Sequence, residues 1–473
     1  MFSTWRRRIL FALVTVLVGL DIPVVMELHA RSKARGDLEK ISADLDRTDP
    51  RWRLEDIEAD RQQVAADKNS ANSVVAAHRL LPKNWGQSID DLEWPPPPIC
   101  FRLDQLQKLE GELKPSAAAL QVALKLKDQA VGRYRIEYAP DFLSTLTQHH
   151  QDARSICWLL YVNSSLLLQR KDMENAWITN RALLNAGRSL GDEPFLLSML
   201  LRMQLEEMAV RSLERALAQG TFPLAQLEER QKEFEKEMTV PFLFIGIRGE
   251  RGGADCLLTN IEVGNINLLP WLENILAIQR REETLWDAIQ NFFSFSMVLR
   301  SHVTWLDLET KLVEAAKLCP TERAKASKEV QSSLAAAISQ YRNRKHSLIT
   351  LFPATDKVMQ TEQRLDTKLA CAVAALAAER FRLQKNRWPE TLEELVQAGC
   401  LKKVPIDLFD GKPLRFRRTK DGLVIYSIGP EGKYDGKALD NLRNINESVI
   451  RVEFRLWDVA HRRQPPLPAK AKE

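Results

Sequence analysis

From residue 102 to residue 350 apolar side chains return every three and four positions, with few glycines or prolines to interrupt them. That period matches one face of an α-helix and excludes the alternation of half-buried strands. Leu197, Leu200, Leu201, Gln204, Leu205 and Met208 form one such stripe, opposite a charged face. Asp141 is placed to cap a helix reaching Arg170, and a second run from Met173 to Leu190 stops at Gly191. A third run extends from Pro194 to Gln219 and ends before Gly220. Helices joined by such short turns pack as antiparallel hairpins. Further helices are expected around 52–65, 71–81, 281–300, 302–318 and 321–345. The apolar stretch Val240–Ile247 is expected to be a short strand or a hinge, followed by a loop at Arg248–Gly253.

Composition supports this class. Glycine contributes only 19 of 473 residues, whereas Ala, Leu, Glu, Arg and Gln are abundant, a mixture that favours helix. The length predicts more than one domain. A net charge of +5, with basic residues scattered among acidic ones, leaves no basic stripe for nucleic acid. The six cysteines form no C-x-x-C pair and so neither a zinc ribbon nor a dense disulfide framework. Buried thiols are the expectation, with Cys371 and Cys400 able to pair in an oxidising compartment.

Arg6, Arg7 and Arg8 precede an apolar run from Ile9 to Met26. At 1.5 Å per residue such a run rises about 27 Å, near the thickness of a hydrocarbon core. Asp21 and Pro23 fall at its far end. The expectation is an uncleaved signal anchor through residues 9–26, with a cleaved signal peptide and a buried helix as alternatives. The basic N-terminus places the bulk of the chain outside the cytoplasm, single-pass in the inner membrane, although Arg31, Lys33, Arg35 and Lys40 nearly balance it. Pro95–Pro98 cannot continue a helix and reads as a stiff spacer or a Pro-rich ligand.

The C-terminal region is the most specific. Leu365, Leu369, Val373, Leu376 and Arg380 share one helical face. Thr391 and Glu394 have capping-box spacing for a second short helix. Leu414 and Phe416, Leu423–Ile428, and the alternation of Ile450, Val452, Phe454 and Leu456 predict a three-stranded antiparallel sheet. The segments 388–395, 404–414 and 426–433 together resemble the C-terminal domain of the major pseudopilin of type II secretion, over about residues 364–442. That resemblance implies calcium at Asp435 and Asp440; a solvated turn is the alternative. The chain departs from a pseudopilin in lacking a leader-peptidase site directly before this domain. The remainder resembles large bacterial membrane-anchored proteins of no stated activity.

Motifs for chemistry are scarce. No G-x-S-x-G, H-E-x-x-H, Walker or G-x-G-x-x-G pattern occurs. His149 and His150 are adjacent, and neighbours on a helix point about 100° apart, so sharing one metal is disfavoured. His149 with Asp152 could give a two-ligand site, and an exposed polar turn is the simpler expectation. Carboxylate pairs such as Glu206-Glu207 read as solvated faces, and the tryptophans as core. No catalytic residue is assigned and no cofactor beyond calcium.

The expected architecture is mainly α: an anchor at 1–36, a polar segment at 37–101, a helical body at 102–360, an α+β module at 361–460 and a disordered tail at 461–473. Arg181-Ala182-Leu183 recurs as Arg215-Ala216-Leu217 at the tetratricopeptide period, so the body is read as tetratricopeptide-like without that family's consensus positions. The expected function is a membrane-anchored extracytoplasmic binding or scaffolding protein with protein partners. The alternative is an envelope enzyme whose site assembles from dispersed residues.

Overall fold

The computed structural model describes residues 2–275, 285–341, 355–434 and 452–468. Fifteen helices are labelled in chain order. α1 (Phe2–Thr48), α2 (Leu54–Asp60) and α3 (Ser70–His78) lead to α4 (Leu103–Leu113) and α5 (Ala117–Ala123). The body follows as α6 (His149–Gln169), α7 (Met173–Arg188), α8 (Leu196–Gln219), α9 (Leu224–Glu237) and α10 (Phe242–Glu262). Then come α11 (Leu268–Ile275), α12 (Leu285–Lys317), α13 (Pro320–Tyr341), α14 (Thr355–Lys385) and α15 (Leu392–Gln397). Strands β1 (Arg415–Thr419), β2 (Gly422–Tyr426) and β3 (Glu453–Trp457) form one antiparallel sheet in that order. The protein is therefore mainly helical with a small C-terminal sheet, as the periodicities predict.

α14 is the central element, packed against α8 and α9 on one side and against β2 and β3 on the other. Covered from both sides, its C-terminal half is apolar nearly all round: Ala370, Ala374, Ala375, Ala377 and Ala378 are buried along with Leu369 and Leu376. Small side chains there let neighbouring backbones approach. One continuous hydrophobic cluster runs from Ala71 of α3 to Leu456 of β3, so body and C-terminal module share a core. In the sheet, Phe416 pairs with Ile425 and Ile425 with Phe454, which fixes the register. The free edge of β3 is covered by α8, where Glu214 accepts from the Arg455 backbone N–H at 2.8 Å.

Several local expectations are corrected. Asp141 does not cap α6: its carboxylate holds the Ser144 N–H at 3.0 Å and the Trp271 indole at 2.9 Å, and α6 begins eight residues later at His149. Phe242–Gly253, expected as a strand or hinge and then a loop, is instead the first half of α10, and its glycines face neighbours that leave no room for a side chain. A Cβ on Gly249 would sit 2.0 Å from the Pro194 carbonyl oxygen, and one on Gly253 2.3 Å from the Phe142 ring. α12 is one helix where two were expected. α1 runs unbroken through the boundary drawn at 36. The Pro95–Pro98 run is clamped rather than free: Gln219 Nε2 donates to Pro97 O at 2.7 Å and the Gln464 N–H to Pro98 O at 2.7 Å. The segment assigned to the tail begins ordered, with Arg462 buried against Glu379 at 2.9 Å. The cysteines are unpaired, and Cys100, Cys157, Cys371 and Cys400 are buried as expected, whereas Cys256 is half-buried and Cys319 exposed.

The expected transmembrane helix is not supported: among the described residues no helix is long and apolar enough to cross a membrane. Just past the apolar run, Glu27 is buried against α12, accepting from the Ser296 N–H and hydroxyl, each at 2.8 Å.

Candidate functional site

Two features of the helical body can do something chemically, and both are built on α6 and its neighbours. The first is a polar cluster. α6 and α7 are an antiparallel hairpin turned at Lys171, whose positive φ of 64° closes the connection. The chain leaving α7 therefore comes back alongside the start of α6. Gly191, at φ 59°, then turns it so that Glu193 points at His149 and His150.

There His149 Nε2 lies 3.1 Å from Glu193 Oε2 and 2.9 Å from Oε1, and His150 Nε2 lies 3.4 Å from Oε2. The Ser198 hydroxyl, on α8, donates to Oε2 at 2.7 Å and is 2.8 Å from His150 Nε2. Glu193 is fully buried, and the His149 and His150 side chains are 11% and 7% exposed. Burial pushes the Glu193 carboxyl up, but the two imidazoles and Ser198 outweigh it and hold the group down at about 2. Tyr134 stacks on the His149 ring at 4.3 Å and bonds Ser189 at 3.1 Å, fixing the ring's plane.

The expectation of an exposed polar turn at His149 and His150 is thus corrected: both side chains are nearly buried on one carboxylate. On the first turn of a helix the rings splay past the helix end, here edge to face at 4.8 Å, and both reach a group lying above it. The pairing of His149 with Asp152 is not formed: Asp152 takes His78 Nδ1 at 2.9 Å. The two imidazole nitrogens and one carboxylate oxygen lie within 4.8 Å of one another and could hold a metal ion.

The second feature is a groove of about 450 Å³ between α6 and α8. Gln151, Arg154, Ser155 and Trp158 line one wall and Leu201, Gln204, Leu205 and Met208 the other, each set spaced for one helical face. Trp85, Gly86 and Asp90 close one side. Trp158 is held by Tyr161, stacked at 5.4 Å, and by Trp94 at 5.2 Å. Gln151, Arg154, Gln204 and Asp90 are exposed, while Leu201 and Leu205 are buried as a floor. The stripe Leu201–Met208 was legible in the sequence; its partner stripe on α6 was not singled out.

A third cluster joins α10 to α12. His302 of α12 bridges Glu262 at 2.7 Å through Nδ1 and Asp255 at 3.1 Å through Nε2, both on α10. Burial lowers the His302 pKa, but the two carboxylates more than compensate and raise it.

In the C-terminal module the segments 404–414 and 426–433 meet at Asp407. This buried carboxylate accepts from Ser427 Oγ at 2.8 Å, the Phe409 N–H at 3.0 Å and the Ile428 N–H at 3.0 Å, and pairs with Arg415. Thr391 caps α15 through the Glu394 N–H at 3.3 Å, as its spacing predicts. Asp435 and Asp440, the calcium candidates, lie outside the described residues. Comparison with known proteins adds nothing to this geometry: no family model, no curated protein and no solved structure matches the chain.

Proposed function

We propose that this chain is a binding or scaffolding protein of the cell envelope, attached to the inner membrane through residues 9–26 with its bulk outside the cytoplasm. Its partner is a protein, and the α6–α8 groove takes an extended segment of that partner. The groove carries the proposal. Two parallel helical stripes with an apolar floor, an immobilised indole and exposed amides suit a polypeptide: Gln151 and Gln204 can each donate to and accept from a backbone. Arg154 and Asp90 favour a segment bearing both charges. Concave surfaces between packed helical hairpins are a common way of holding peptides, which agrees with a tetratricopeptide-like body. The membrane reading draws on the basic–apolar N-terminus and on Ile22, Val25 and Met26, each more than half exposed where the run ends. The pseudopilin-like module, clasped to the body through α14, is the second surface for docking to an envelope assembly.

The envelope-enzyme reading draws on His149, His150 and Glu193. Only an edge of His149 reaches the surface, too little for a substrate to bind against, which favours binding over catalysis.

Affinity capture from gently solubilised membranes tests the proposal. The full chain is expected to retain a reproducible protein that is lost with Arg154→Glu or Gln204→Glu and kept with Lys328→Glu, an exchange on remote α13. Equal capture by all three variants would refute it.

A further inference from the structure

The His149–His150–Glu193 cluster is badly satisfied as a set of hydrogen bonds. Three groups crowd one oxygen: His149 Nε2, His150 Nε2 and the Ser198 hydroxyl all address Glu193 Oε2. Oε1, equally buried, makes no hydrogen bond, although the His149 nitrogen is 2.9 Å away at a poor angle. A buried carboxylate oxygen left in this way is costly.

We infer that His149, His150 and Glu193 together bind one divalent transition-metal ion of the zinc class, which ties the start of α6 to the chain between α7 and α8. The inference is independent of the scaffolding proposal. Two imidazole nitrogens and one carboxylate oxygen are a donor set that zinc, cobalt, nickel and copper take, whereas calcium and magnesium require more oxygens. The spacing fits. An ion about 2.0–2.1 Å from each donor in a tetrahedron sets the donors about 3.3 Å apart. The nitrogen–oxygen separations, 2.9 Å to Oε1 and 3.1 and 3.4 Å to Oε2, lie around that value, while the donor set spans up to 4.8 Å, so the two imidazoles draw together when they share the ion. Both imidazoles present Nε2, and Tyr134 holds the His149 ring in place from its face.

Ser198 Oγ, between His150 and Glu193, is positioned to supply the fourth ligand or to hold a water that does. With an ion present the nitrogens turn from donors to ligands and Oε1 gains a partner. The helix dipole of α6 opposes a cation with about half an elementary charge. The full charge of the buried Glu193 carboxylate, at bonding distance, exceeds it. Near-closure of the site argues for a structural ion, and the partly exposed His149 edge is where the ion enters.

The test uses the full chain, stripped with chelator and titrated with zinc by calorimetry. One zinc per chain is expected, with a raised melting temperature, no saturation by calcium or magnesium, and an intense four-coordinate visible spectrum with cobalt. His149→Gln, His150→Gln and Glu193→Gln are each expected to weaken zinc binding about tenfold or more. Should Glu193→Gln fail to fold, His149→Gln decides, since that ring lies at the rim. Absence of saturable zinc binding by the folded chain, a pale six-coordinate cobalt spectrum, or unchanged affinity in His149→Gln and His150→Gln would overturn the inference.

Discussion

Single buried acids set how this protein responds to pH and to substitution. Glu250 of α10 is enclosed, and burial holds its carboxyl up at about 7 despite the Leu196 N–H at 2.9 Å. Asp366 of α14 is pushed up to about 8, by burial first and then by Glu362. An acid whose folded pKa is raised keeps a proton that the unfolded chain has lost. Stability therefore falls as pH rises from the ordinary carboxylate values, 3.8 for Asp366 and 4.5 for Glu250, through about 7 to 8. Glu250→Gln keeps an acceptor for Leu196 and removes part of that loss. It is expected to stabilise the chain by roughly 1–3 kcal/mol at pH 8 and negligibly at pH 4.5. Denaturant titrations at the two pH values check this, and an equal effect at both would contradict it. Asp407 is the opposite case, a buried charge fully used by Arg415, Ser427 and two backbone N–H groups. Asp407→Ala should cost roughly 2–4 kcal/mol, because it leaves Ser427 and two backbone N–H groups unpaired and removes one of the two carboxylates that Arg415 engages, Asp410 being the other.

At the scale of elements, periodicity found most of the helices and all three strands, because each buries one face at a spacing of 3.6 or 2 residues. It failed where burial was not one-sided. α10 read as strand and loop because Gly246, Gly249, Gly252 and Gly253 look like breakers, whereas in the fold they admit close neighbours. Gly249→Ala should cost roughly 1–3 kcal/mol, since a methyl group meets the Pro194 backbone. Gly111→Ala on α4, with nothing within 4 Å of the new methyl, should gain about 0.4–1 kcal/mol. Melting curves for the pair check both signs.

The histidine cluster was half legible. The residues stood out, but their convergence depends on the hairpin: His149 and Glu193 lie equally far on either side of Lys171, so antiparallel pairing brings them together. Counting outward from the turn would have found Glu193. The α6 wall of the groove needed the same step, from one helix to the neighbour packed on it.

At the scale of the molecule, the sharing of one core by body and C-terminal module matters most. α14 belongs to both, and polar ties reinforce it: Gln231 of α9 donates to Cys400 O at 3.0 Å, and Arg380 of α14 bonds Gln231 at 2.8 Å. Residues 361–460 on their own should therefore expose the α8- and α9-facing side of α14 and lack a cooperative transition. The full chain should unfold with coincident tryptophan fluorescence and circular dichroism changes, and separated transitions would contradict the shared core. A rigid joint of this kind would suit the proposed scaffold, because it holds the groove and the module in a fixed relation.

Site-specific photocrosslinking at position 204, in intact cells, tests the central claim most directly. The groove reading predicts one discrete adduct with a protein partner at 204 and none from a photoreactive residue at position 328 on α13. No adduct at 204, or the same adduct at both positions, would mean that the α6–α8 groove is not where this protein binds.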